Sequence, residues 1–106
     1  MAPTEPIRYR LSPAAQYDLE EIWLYSAQNW SSRQAERYTA MLRKSLDQLL
    51  AMPELAPERT VFTPPVRIHP SGKHLIVYRV SGENLDVLRI LGGQQDWLSI
   101  LGTLES

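Results

Sequence analysis

From Ala14 to Met52 the chain contains neither proline nor glycine, a run of 39 residues. These two residue types end or kink helices, so an uninterrupted run of this length reads as helical. The punctuation is pushed to either side. Pro3, Pro6 and Pro13 precede the run, five further prolines lie between residues 53 and 70, and all five glycines fall after residue 71. At 106 residues the chain has the size of one domain, residues 1–106, and such a domain buries about two-thirds of the surface of its unfolded form.

One break divides the helical run. Ser12 is placed as an N-cap, with Pro13 at the first helical position. From there Ala15, Leu19, Ile22, Trp23 and Trp30 follow helical spacing and are expected to face the core. Ser31 with Gln34 fits a capping box for a second helix, and Trp30 stands where a hydrophobic staple would. Ala35, Tyr38, Leu42, Leu46 and Leu49 form its apolar stripe. Asp18, Glu20 and Glu21 give the first helix a charge of −3 and read as a solvated acidic face near its N-terminal end. The second helix carries +2, so opposite charge favours an antiparallel hairpin, with each exposed pair contributing a few tenths of a kcal/mol, about.

Strand patterns flank the hairpin. Residues 7–11 and 66–69 alternate apolar and polar, residues 74–80 have a continuous apolar middle, and residues 85–91 read as the strand that pairs with them, stopped by Gly92-Gly93. Residues 70–73 and 81–84 read as turns. Strands segregated from helices predict an α+β fold: an N-terminal strand, an antiparallel helical hairpin, a three-stranded antiparallel meander in one sheet, and a short C-terminal helix.

Composition narrows the chemistry. The 43% hydrophobic content argues against disorder. Eleven basic against twelve acidic residues leave no global field for nucleic acid, so no direct nucleic-acid binding is expected. The absence of cysteine excludes thiol catalysis and cysteine-held zinc, and suits a cytoplasmic location. No apolar run has membrane-spanning length, and residues 1–6 lack a signal-peptide core. His69 and His74 have no carboxylate at metal-ligand spacing, and Gly92-Gly93 lacks the lysine of a phosphate loop. No metal or cofactor is expected. Arg67, His69, Lys73, His74 and Arg79 concentrate in the sheet region, either as a phosphate-binding cluster or as the mixed polar face of an antiparallel sheet.

Several segments together resemble one family. Leu11-Ser12-Pro13-Ala14-Ala15 and the run Asp18 to Trp23 resemble the first helix of ParE-type toxins in the RelE/ParE superfamily. Gly72 to Val80 resembles their central strand, and Leu50 to Leu55 their second-helix exit. Leu88-Arg89-Ile90-Leu91, followed by Asp96, resembles their last strand. The likeness covers about residues 7–101. It implies the toxin of a bacterial type II toxin–antitoxin module, neutralised by a ParD-like antitoxin in a hetero-oligomer. ParE-like members inhibit DNA gyrase and block replication, whereas RelE-like members cleave mRNA on the ribosome.

By the same resemblance, His74 stands where the ribonucleases carry an arginine, and Gln94 where they carry another. Pro65 and Arg67 stand at two lysine positions, and no tyrosine follows Tyr78. A common family ending has a histidine and two arginines where this chain has Gly92, Gln94 and Gln95. Most of the ribonuclease apparatus is absent, so no catalytic residue and no enzymatic activity are expected. The leading reading is a gyrase inhibitor. The alternatives are a RelE-like endoribonuclease and a family member that binds its antitoxin without toxicity.

Two surfaces follow as expectations. Tyr17, Trp23, Tyr25 and Trp30 exceed what one narrow stripe can bury, and tyrosine and tryptophan anchor interfaces, so they are candidates for antitoxin binding. Trp97, Ile100, Leu101 and Leu104 lie on one face of a short tail helix capped by Asp96. Trp97 is expected to dock on the core. All four are candidates for gyrase interaction, and Ile100, Leu101 and Leu104 are expected to serve it more than folding, so truncation after Ser99 should leave a folded, antitoxin-binding protein with weakened growth inhibition.

Overall fold

The computed structural model describes residues 6–95 and 97–102, without the side chains of Trp97 and Leu98. Strand β1 (Arg8–Leu11) leads into α1 (Pro13–Asn29) and α2 (Ser32–Ala51). A 3-10 turn (Pro53–Leu55) and a two-residue strand β2 (Glu58–Arg59) follow. The chain ends in β3 (Val66–Ser71), β4 (His74–Ser81), β5 (Asn84–Gly92) and α3 (Trp97–Gly102).

Both helix starts are built as the sequence implies. The Ser12 Oγ accepts the Ala15 N–H at 3.0 Å, and the Ser31 Oγ accepts the Gln34 N–H at 3.0 Å. The two helices lie on one face of the sheet. Their stripe of Ala15, Leu19, Ile22, Leu42, Leu46 and Leu49 meets Ile76, Tyr78, Leu85, Val87 and Ile90 in the main core. Burying each of the three α2 leucines contributes about 1.5–3 kcal/mol. The Tyr78 hydroxyl satisfies itself there by donating to the Pro53 carbonyl at 2.7 Å.

The sheet is larger than the meander alone. Five strands run in the order β1-β5-β4-β3-β2. Strands β3, β4 and β5 form the expected antiparallel meander, and β1 adds to β5 in parallel. The two-residue β2 pairs only with Val66 and Arg67 and carried too little pattern to be read from sequence. Pro70, expected in a turn, lies within β3. Because β2 stops short of it, β3 is an edge strand at that point, where a missing N–H is tolerated. The turn itself is Gly72-Lys73, with Gly72 at φ +58°. A Cβ there would stand 2.8 Å from both the Tyr38 hydroxyl and the Met41 Cε, so the position requires glycine twice over.

Strand β5 bulges where Val77 faces Arg89 but Tyr78 faces Val87, leaving Leu88 extra. Helix α1 is fastened at this bulge. Ser12 donates its N–H to the Val87 carbonyl at 3.0 Å and its hydroxyl to the Leu88 carbonyl at 2.7 Å. Asp18 then grips β5 two residues further on. Its carboxylate accepts two bonds from the Arg89 guanidinium, at 2.8 and 2.9 Å, and one from the Ile90 N–H at 2.9 Å. The solvated acidic face expected of Asp18, Glu20 and Glu21 therefore holds for the two glutamates and fails for Asp18, which is buried.

Two other expectations about the hairpin change. Trp30 does not face the core: it is 74% exposed, because burial on α1 ends at Ile22. Among the described residues the opposite charges of α1 and α2 form no ion pair; their polar link is Trp23 Nε1–H donating to Glu36 at 3.1 Å.

The other face of the sheet has its own core of Phe62, Val66, Ile68, Val77, Leu91 and Leu101, with Ile100 half-buried against it. Helix α3 packs here, and Leu101 is 2% exposed. Ile100 and Leu101, expected to serve gyrase engagement more than folding, contribute to the chain's own packing, because a six-residue helix has no stability without a surface to bury on. Asp96, Leu104 and the Trp97 side chain lie outside the described residues.

Candidate functional site

A groove of about 750 Å³ lies on the helix side of the sheet. Tyr17, Tyr25 and Trp30 form its rim, 62%, 65% and 74% exposed. Ile22 and Ile90 supply an apolar floor. His74, Tyr38, Lys73 and the Asp18–Arg89 pair line the end nearest the sheet. Three of the four aromatic residues singled out from sequence therefore converge. Trp23 does not join them. It lines a separate depression of about 510 Å³ with Leu11, Gln16, Glu36 and Arg43, on the other flank of the hairpin.

The groove floor is held by one tyrosine. The Tyr38 hydroxyl accepts the Lys73 N–H at 2.9 Å and lies 2.6 Å from His74 Nδ1. The hydroxyl can donate to Nδ1 or accept from it, according to the His74 tautomer. The two rings also meet edge to face, with centroids 5.4 Å apart. Burial lowers the His74 pKa below its ordinary value, and Asp18 offsets this in part. Tyr38 was read from sequence only as a core residue. Its role in holding the β3–β4 turn depends on a contact 35 residues away, which no local pattern reveals.

A depressed histidine pKa sets a direction for stability. The unfolded chain takes up a proton near pH 6.5, before the native state does. The contribution of neutral His74 is thus complete above about pH 6.5 and is lost as pH falls through the lower native value. The urea midpoint should fall between pH 7.5 and 5.5, and His74→Gln should fall less over the same interval. An identical decline in both proteins would exclude His74 as the source.

The basic sheet cluster does not assemble. Arg67 donates to the Ala56 carbonyl and approaches Glu58 at 3.8 Å. His74 and Lys73 stand at the aromatic groove. Arg79 lies on the opposite face, where it lines a cavity with Phe62 and Leu101. His69 alternates with Val66 and Ile68, which places it on the helix side. Sheet alternation separates residues that sequence proximity had grouped. Among the described residues no group of three or more histidine, cysteine or carboxylate side chains is placed to hold a metal.

Comparison with known proteins gives these features a family. Residues 9–97 match the ParE toxin of the type II toxin–antitoxin system parDE. The chain belongs to the ParE toxin family. It is 40% identical over 74 residues to toxin ParE1 of Mycobacterium tuberculosis, covering 70% of this chain and 76% of that protein. Toxin ParE1 of Caulobacter vibrioides is 34% identical over 73 residues, covering 69% and 76%. A chain from the chromosomal ParDE toxin–antitoxin system of P. aeruginosa superposes with a TM-score of 0.71. It covers 83% of this chain and 96% of that one at 18% identity, a likeness of fold. The ParE-type fold thus accounts for the strand, hairpin and meander. Membership of a toxin–antitoxin family supports an antitoxin as partner.

Proposed function

We propose that this ParE-family chain inhibits DNA gyrase by binding it in the cytoplasm, cuts no RNA, and is silenced by an antitoxin segment lying in the aromatic groove. The dispersal of its cations carries the non-enzymatic part of this reading. Ribonuclease chemistry needs positive charge and a proton donor converging on one phosphate. Here Arg67 is tied to Ala56 and Glu58, His74 is kept neutral against Tyr38, and Arg79 is across the sheet. Gln94, exposed beyond β5, supplies no charge. The antitoxin part rests on the rim. Three large aromatic side chains more than half exposed around an apolar floor suit an apolar partner segment.

Purified protein should therefore inhibit gyrase supercoiling and leave mRNA on translating ribosomes intact. Co-purified antitoxin should relieve the inhibition, and Trp30→Ala should weaken that relief by at least about tenfold in antitoxin affinity, as truncation of an aromatic anchor does. Codon-specific mRNA cleavage, abolished by Arg67→Ala, would replace this reading with the RelE-like one.

A further inference from the structure

The outer face of the sheet, away from the hairpin, carries charge that the groove does not use. Tyr9 and Leu11 pack toward the helices, so alternation turns Arg8 and Arg10 outward. In register across the sheet, Arg10 stands beside Asp86, and Asp86 beside Arg79. Among the described residues of β1, β4 and β5 this face holds three arginines, Arg8, Arg10 and Arg79, against one carboxylate. Arg10 takes that carboxylate, with Nε 2.8 Å from Asp86. No described carboxylate forms an ion pair with Arg79.

Arg79 is also half-buried, and it borders a cavity of about 110 Å³ walled by Phe62, Val66, Leu88 and Leu101. An apolar cavity of roughly 150 Å³ accepts benzene, so this one has room for a single aliphatic side chain. A half-buried guanidinium without a counter-ion gains most from a carboxylate that arrives together with apolar cover, because its bidentate fork is then used in a drier setting.

We propose that this outer face is where the toxin grips its protein target, and that the target presents an acidic segment. One aliphatic side chain of the segment enters the cavity, and flanking carboxylates meet Arg79 and the β1 arginines. The name of the partner, gyrase, rests on the proposed function; its acidic and aliphatic character rests on the face itself. A protein segment fits better than nucleic acid. Phosphates are met by projecting cations and leave an apolar cavity empty, whereas here the unpaired cation is recessed beside one. In this arrangement Ile100 and Leu101 do not enter the target; Leu101 builds the cavity wall. The antitoxin groove lies on the opposite side of the sheet, so the two surfaces can be occupied together.

The test uses the full chain with purified gyrase and purified antitoxin. Arg79→Glu should weaken gyrase binding about 30-fold or more. Arg8→Glu, on an exposed edge strand, should slow association and flatten its salt dependence. Both variants should keep the wild-type melting temperature and antitoxin affinity. Unchanged gyrase affinity in both would overturn the assignment, as would a parallel loss of antitoxin binding. Retained gyrase affinity with loss of duplex DNA binding would identify a nucleic-acid surface instead. A wild-type chain that fails to bind gyrase but slows growth refutes the gyrase reading alone. Arg79→Glu must then abolish growth inhibition for the face to stand. A wild-type chain inert in both assays overturns both.

Discussion

Asp18→Ala lowers the melting temperature by about 10–20 °C. The carboxylate is 10% exposed, and it is the partner of an Arg89 side chain 21% exposed. Removing one member of a buried pair leaves the other charge uncompensated, at a cost of about 3–5 kcal/mol when burial is complete. The residual exposure of Arg89 favours the lower end, about 2–3 kcal/mol, and each kcal/mol is worth about 4–8 °C in a domain of this size. A guanidinium stays protonated in proteins even without its partner, so Arg89 cannot escape by losing a proton. Replacing both residues by apolar ones, Asp18→Leu with Arg89→Met, should recover only part of the loss. The Ile90 N–H would still lack its acceptor, and a buried unsatisfied donor costs about 1–3 kcal/mol. A melt of Asp18→Ala within 3 °C of wild type, about, would show that the pair adds nothing to the fold.

Leu101→Ala should destabilise the protein by about 3 kcal/mol in urea denaturation. Leucine-to-alanine changes in cores span about 2–5 kcal/mol, and the cost grows with the void left behind. Leu101 already borders an unfilled cavity of about 110 Å³, so the new void joins an existing one and the wall has little chance to collapse. Truncation after Ser99 removes Ile100 as well and should cost at least as much. Full stability of the truncated chain would mean that α3 adds nothing to the outer core.

The contrast between these two sites shows how far the sequence could be read. Capping residues announce themselves locally: Ser12 and Ser31 each satisfy an N–H three residues on, and both helix starts fall where the sequence puts them. The meander is equally local, since its turns carry Gly72 and Gly82 at positive φ. Asp18 was misread because its neighbours Glu20 and Glu21 are ordinary surface acids, and its partner lies 71 residues away. The aromatic rim was legible as an excess of aromatic residues on one helix. That Trp23 departs to the other flank was not, since rotation of a helix about its axis is set by packing. The five cations were near in sequence and separate in space, because successive strand residues face opposite sides. The cavity beside Arg79 had no signal at all: its walls come from four distant segments.

The parallel pairing of β1 with β5 bears on when the molecule's surfaces come into being. Ser12 reaches Leu88 across 76 positions of chain, so the first strand has no hydrogen-bonding neighbour until the last one has been made. At ribosomal speeds of about 5–20 residues per second, that interval is about 4–15 s of synthesis. During it the hairpin's apolar stripe has no sheet to cover, and neither the groove floor at Ile90 nor the wall at Leu101 exists. High contact order of this kind also slows folding after release. A nascent chain therefore lacks both surfaces for nearly its whole translation. The aromatic groove and the outer cavity first form together, once β5 and α3 are in place.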